Sequence, residues 1–188
     1  MTTSSEWTQD RLSELLRLAK SGRLTNKAQS EVSKLHKDVI KGKVPQDCLY
    51  TTIHIFGEAD YKDAKAFVLS SLTDSDPQLR KVAAHVLAHH WKLDDCQEEL
   101  VHLLQTDPND EVRAEAATGL SNLRASSEHD QTVEAIHRVL FDDDEPFLVR
   151  KNAYKALLRI RGGYDPTQVF RLTRRASDMG DLDLSLVE

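Results

Sequence analysis

Asp110-Glu111-Val112-Arg113-Ala114-Glu115-Ala116-Ala117-Thr118-Gly119-Leu120 is the stretch that decides the fold. An acidic turn, Asp107-Pro108-Asn109, runs into a Val-Arg pair, and the pair opens an alanine-rich helix. Two other stretches repeat the plan: Asp76-Pro77-Gln78-Leu79-Arg80-Lys81-Val82-Ala83-Ala84, and Asp144-Glu145-Pro146-Phe147-Leu148-Val149-Arg150-Lys151-Asn152-Ala153-Tyr154. The three arginines are 33 and then 37 residues apart. Self-similarity at that period is the mark of stacked helical repeats, in which each unit buries its apolar face against its neighbours.

Aligning the copies on their arginines gives one register. Leu79, Val112 and Val149 correspond, as do Ala83, Ala116 and Ala153, then Leu87, Leu120 and Leu157, then His90, Leu123 and Ile160. These four positions fall within about 80° on a helical wheel, so they share a buried face. The alanine lets neighbouring helices approach closely. Each copy is the second helix, B, of a helix pair, and the first helices, A, are expected over 61–72, 95–104 and 130–141. The B helices are expected over 77–91, 109–123 and 146–161.

Outside the clear repeats, a helix over about 5–20 carries a stripe of Trp7, Leu12, Leu15, Leu16 and Ala19, with Ser4 or Ser5 to cap it and Gly22 to stop it. A second helix is expected over 26–41 with Ala28, Val32, Leu35, Val39 and Ile40 on one face. A third runs from Pro45 to Phe56, with Gly57 as its stop, and fits the repeat frame in degenerate form. A short helix is expected over about 166–176. The fold class is all-α, an α-solenoid of about four helix pairs with terminal helices. Residues 1–176 read as one repeat domain (capping helices 1–57, clear repeats 58–162, a C-terminal helix 163–176), and 177–188 read as an acidic flexible tail.

Composition agrees with a thin helical structure. Of 188 residues 39% are hydrophobic, 6% aromatic and 30% charged, and seven Gly with five Pro leave little room for an all-β fold of tight turns. The net charge of −6 argues against non-specific nucleic-acid binding, which draws its affinity from neutralised phosphates. Cys48 and Cys96 stand at unrelated points of the repeat, form no metal-ligand spacing, and read as reduced thiols of a cytoplasmic protein. The stretch from Met1 to Trp7 has no basic segment followed by an apolar run, so no signal peptide is expected, and no apolar stretch approaches membrane-spanning length.

The repeated Asp-turn, hydrophobic-Arg and Ala-Ala pattern resembles HEAT repeats, specifically the short variety also found in phycobilin lyases. The resemblance covers about 58–162 well and 25–57 weakly. It implies a ladder in which the arginine of each B helix pairs with acids of the turns, here Asp76, Asp110 and Asp144 or Glu145. It also implies a concave surface made by the side of helix B opposite the buried stripe. That side holds Gln78, Lys81, His85 and Ala88, then Glu111, Ala114, Thr118 and Ser121, then Leu148, Lys151, Lys155 and Leu158, flanked by His89, Asn122 and Arg159.

The function expected from this pattern is a non-enzymatic scaffold or adaptor that binds another protein, as a monomer or weak oligomer, without cofactor or metal. Lys81, His85, His89, Lys151, Lys155 and Arg159 are the binding candidates, and no catalytic residue stands out. His85 and His89, four apart, have chelating spacing, but no third ligand follows at helical spacing; His90 falls on the buried stripe and reads as a core histidine. HEAT hydroxylases acting on deoxyhypusine carry repeated His-Glu dipeptides, and none of the eight histidines here precedes a Glu. Two alternatives are a lyase-like subunit handling a bilin chromophore and a nucleic-acid binder related to alkylpurine DNA glycosylases. The first calls for an apolar or aromatic groove, the second for a basic one, and the groove named above is mixed.

Charge is segregated along the chain. Between His90 and Pro146 there are 4 basic residues (Lys92, Arg113, Arg124, Arg138) against 15 acidic ones; from Phe147 to Ala176 there are 8 basic against Asp165 alone. Such a field steers a charged partner or binds the acidic tail of the chain itself. Arg174-Arg175-Ala176-Ser177 weakly resembles a basophilic kinase site.

Overall fold

A computed structural model describes residues 6–123 and 131–187. Ser4, Ser5, Arg124, Asp130 and Glu188, which enter the expectations above, lie outside the described residues. Ten α-helices and no strand are present among the described residues. The chain falls into two compact units, Met1–Trp91 and Lys92–Glu188.

The first unit holds α1 (Gln9–Lys20), α2 (Asn26–Ile40), α3 (Leu49–Glu58), α4 (Lys65–Ser70) and α5 (Pro77–His85). Helix α1 is capped by the Thr8 hydroxyl, which accepts from the Arg11 amide. Trp7 precedes this helix rather than riding its stripe. It is buried, its indole N–H donates to Asp38 at 3.0 Å, and the Arg11 guanidinium lies over its ring. Ile40, assigned to a buried face, is 68% exposed because α2 ends there. Gly57 does not stop α3 but lies inside it, fully packed. Helix α3 packs on α1 and on α5. After His85 the chain continues for five residues, Val86–His90, in the wider π winding, closed by the Trp91 amide donating to the Val86 carbonyl at 3.0 Å.

The second unit holds α6 (Gln97–Thr106), α7 (Asp110–Leu120), α8 (Gln131–Leu140), α9 (Phe147–Ile160) and α10 (Pro166–Thr173). Helix α6 pairs with α7 and α8 pairs with α9; α6 stacks on α8 and α7 on α9. This is two repeats laid A on A and B on B. The register read from the sequence is the packing register at its first three positions, and at the fourth Ile160 on α9 is half-buried. Val112, Ala116, Leu120 and Leu123 on α7 and just beyond it are buried, as are Val149, Ala153 and Leu157 on α9. Removing each such Val or Leu side chain from water contributes roughly 1.5–3 kcal/mol.

The turns repeat as closely as the helices. The Asp74, Asp107 and Asp142 carboxylates each accept from the backbone amide two residues on, at 2.8, 2.9 and 3.0 Å. Asp76 then caps α5 and Asn109 caps α7. Arg113 makes the expected rung: its Nε and Nη2 donate to Glu145 of the following turn at 3.1 and 3.0 Å, Nη2 also reaches Asp110, and Nη1 holds the Asp107 carbonyl at 2.7 Å. Arg80 likewise grips the Asp74 and Ser75 carbonyls of its own turn. Arg150 holds the Leu140 carbonyl and the exposed Asp143, not Asp144. Asp76 therefore serves as a helix cap, and among the expected acids Asp110 and Glu145 form the ladder contacts.

The segment expected as a flexible tail carries local structure among its described residues. Residues after Ala176 form two short 3-10 turns, Met179–Asp181 and Leu184–Leu186, and Leu182 and Val187 are buried. Helix α9 seats them: the Tyr154 hydroxyl donates to the Asp183 carbonyl and Arg161 to the Val187 carbonyl, both at 2.9 Å. The isolated leucines and valine of this segment are its anchors, a role that its acidic composition conceals.

Candidate polar seam on helix α9

The six candidate residues divide between the two units. Lys81 and His85 lie on α5 and His89 on the π turn; Lys151, Lys155 and Arg159 lie on α9. All six are half-buried rather than open. The face assigned as exposed is partly closed, since Ala88, Ala114 and Leu158 are buried. Neighbouring helices cover more of helix B than a helical wheel of one repeat implies.

On α9 the residues Leu148, Asn152, Lys155 and Arg159 recur at spacings of four, three and four, and so form one line along the helix. That line meets α7. The Thr118 hydroxyl lies 3.3 Å from the Asn152 carboxamide oxygen, and Arg159 donates from Nη1 to the Ser121 hydroxyl at 2.7 Å and to the Asn122 side-chain oxygen at 2.8 Å. Lys151 turns the other way: its ammonium donates to the Ala176 carbonyl at 2.8 Å and lies 5.3 Å from the Phe147 ring centre. Its charge also helps to keep the Asp181 carboxyl below its ordinary range, after the hydrogen bonds from Ser177 and Asp178. Lys151 and Arg159 thus have structural employment, one seating the C-terminal segment and the other tying α9 to α7.

Lys155 sits between them with no hydrogen-bond or ion-pair partner among the described residues. Burial, with a smaller contribution from Lys151, pushes its pKa below the ordinary lysine value. Leu148, at the far end of the same line, is 45% exposed. The seam therefore offers a partly desolvated cation and an apolar step. Seven residues of helix separate them by about 10 Å. A carboxylate or phosphate oxygen arriving there would be held more strongly than on open surface, because the lysine has already lost part of its water.

With this geometry in hand, comparison with known proteins places the architecture. A family model of HEAT repeats matches residues 45–121 and 97–183. The chain belongs to the HEAT-repeat family. No curated protein and no solved structure matches it. The HEAT match begins at the helix after Pro45, so the degenerate repeat is included, and it extends through α10. Its fold is an all-helical α-solenoid of HEAT repeats, an architecture that serves protein interaction in general. Among the described residues no helix is long and apolar enough to cross a membrane.

The second place where HEAT positions carry unusual chemistry is the end of α5. His85 and His89 stack at 4.4 Å between ring centres, and His90 stands edge-on to His85 at 5.3 Å. His54 of α3 approaches His85 at 6.2 Å and rests against Tyr50. His90 is half-buried beside Gly57, not sealed in the stripe. Burial lowers the pKa of both His54 and His90; for His54, neighbouring His85, Lys20 and His90 add to the effect and Glu58 opposes it. The sequence reading missed His54 because it comes from a different repeat. It missed Asn152 because asparagine at that position reads as a solvated helix residue.

Proposed function

We propose that this protein is a non-enzymatic, cytoplasmic interaction scaffold that docks a partner protein on the α7/α9 seam, recognising an acidic segment through Lys155. The observation that carries this reading is a half-buried, pKa-depressed lysine without a partner among the described residues, on a helix whose neighbouring cations Lys151 and Arg159 are already engaged. Leu148 supports a finer form of it. An extended segment advances about 3.3 Å per residue, so a partner would place an apolar side chain roughly three residues from the carboxylate that meets Lys155. Docking on a preformed surface of this kind needs little rearrangement of the scaffold.

Charge reversal at Lys155 alone is the informative variant, since Lys151 and Arg159 hold the fold. Lys155→Glu, shown by circular dichroism to be folded, is used beside wild type as bait in quantitative affinity purification. The reading expects a defined partner held by wild type and lost by Lys155→Glu, with binding that weakens as salt rises. Equal recovery by the two baits would remove the seam from consideration.

A further inference from the structure

Adjacent arginines occur at one place in the sequence, Arg174-Arg175, and Ser177 follows with Ala176 between. In the fold this stretch lies where the chain leaves α10, which ends at Thr173, and turns toward α9. Arg174, Arg175 and Ser177 are exposed, and the two guanidinium groups have no hydrogen-bond or ion-pair partner among the described residues. Ala176 is buried, and its carbonyl is held by Lys151. A kinase with an acidic substrate cleft reads such a pattern. Its carboxylates pair with arginines at the third and second positions before an accessible hydroxyl, and the hydroxyl is thereby set in line with the γ-phosphate of ATP.

Ser177 is also the latch of the segment that follows it. Its amide and its hydroxyl both donate to Oδ2 of Asp181, at 2.7 and 3.0 Å, and the Asp178 amide donates to the same oxygen at 3.3 Å. The Asp178 carboxylate accepts from the Gly180 amide at 2.8 Å. This closed turn leads the chain onto α9, where Leu182 and Val187 are buried and Tyr154 and Arg161 hold the Asp183 and Val187 carbonyls. We propose that Ser177 is a phosphorylation site and that its phosphate releases residues 178–187 from α9. In the transfer, Ser177 Oγ attacks the γ-phosphorus of ATP and the bond from that phosphorus to the β-phosphate oxygen breaks. ADP leaves, and the hydroxyl proton passes to the carboxylate base of the kinase. The product lacks the hydroxyl donor that Asp181 accepts. It also sets a charge of about −1.5 to −2 beside the carboxylates of Asp181 and Asp178, and repulsion between like charges opens the turn.

The test incubates the full chain with magnesium, ATP and a purified kinase selective for Arg-Arg-x-Ser, and reads uptake by intact mass and the site by fragmentation. Wild type is expected to take one phosphate on Ser177, and Ser177→Ala none there. The double variant Arg174→Ala/Arg175→Ala should be modified at least about tenfold more slowly. Hydrogen exchange then compares the modified and unmodified chains. The Leu182 and Val187 amides, which donate to the Met179 and Leu184 carbonyls, should exchange at least about tenfold faster once Ser177 is phosphorylated, while the α7 amides stay as they were. Asp181→Asn keeps an acceptor oxygen for the latch and removes its charge, so phosphorylation should speed exchange less in that variant. Absence of phosphate at Ser177 overturns the site. Unchanged exchange overturns the release, as it would if Lys151 and the two arginines neutralised the phosphate in place, and so does an equal gain in Asp181→Asn. None of these readouts uses a captured partner, so failure here is distinct from failure of the Lys155 reading.

Discussion

The two units place different chemistry at the same position of the same repeat. Aligned on their arginines, His85 corresponds to Thr118 and Lys155, and His89 corresponds to Asn122 and Arg159. In the second unit α7 and α9 complete their turns in α winding and set a polar seam between them. In the first, the helix widens into a π turn and sets imidazoles together. The early half of helix B is held by the arginine and the alanine in all three copies, with a side-chain cap on α5 and α7. The later half carries fewer shared constraints, so site chemistry is found there.

The sharpest way to break this comparison is to attack the shared half. Arg113 joins two turns, and its partner Glu145 is only 17% exposed, so Arg113→Ala leaves a poorly solvated carboxylate and an unheld Asp107 carbonyl. Loss of a half-buried pair of this kind costs about 2–4 kcal/mol. Arg150→Ala frees Asp143, which is 93% exposed, and one carbonyl, and should cost about 1 kcal/mol. Urea unfolding followed by circular dichroism, with hydrogen exchange of the α7 and α9 amides, measures both. Equal losses would mean that the Arg113–Glu145 rung contributes no more than an ordinary surface arginine.

The divergent half has its own breaking point at Gly57. A β-carbon there would come within 2.7 Å of Val86 Cγ2 and 3.0 Å of His90 Cδ2, so α3 seats the π turn through a missing side chain. Gly57→Ala forces those groups apart and should destabilise the first unit by about 1–3 kcal/mol. Trp7 and Trp91, both buried in that unit, report it by fluorescence during denaturation. An unchanged midpoint would show that the π turn does not depend on close approach of α3.

How legible these features are in the sequence follows from their range. The hydrophobic-Arg pair and the alanine recur locally, and the register they set buries the first three positions of each copy, while at the fourth His90 and Ile160 stay half-buried. The Asx turns and the arginine grips lie within a few residues, so their donors and acceptors were visible, although only the structure shows that Arg150 takes Asp143. What escaped depends on contacts between elements. Gly57 reads as a stop because glycine commonly ends helices, and only Val86 and His90 reveal its packing role. The C-terminal segment reads as a tail because its acids outnumber its anchors, yet Leu182, Val187 and the Asp183 carbonyl fasten it to α9. His54 and Lys155 acquire their meaning from burial, which no spacing along one helix records.

The smallest expected effect separates the units by pH. His36 on α2 stands edge-on to the Phe56 and Tyr61 rings at 5.7 and 5.5 Å. Burial depresses its pKa below the ordinary 6.5, and the Asp63 carboxylate only partly offsets this. The folded chain therefore prefers the neutral ring, while the unfolded chain protonates near pH 6.5. The contribution of His36 is complete above that pH and is lost as pH falls through the depressed folded value. In the second unit the shifted groups among the described residues are Tyr154, Lys155, Arg159 and Asp181, whose ordinary ranges lie outside pH 5–7. His36→Phe keeps the edge-on ring contacts and removes the titration. Between pH 7 and 5 the wild-type first unit should lose more stability than the variant does, by less than about 1 kcal/mol because His36 is only half-buried. Parallel pH profiles of the tryptophan-detected midpoint in wild type and His36→Phe would show that this histidine titrates alike in the folded and unfolded chains.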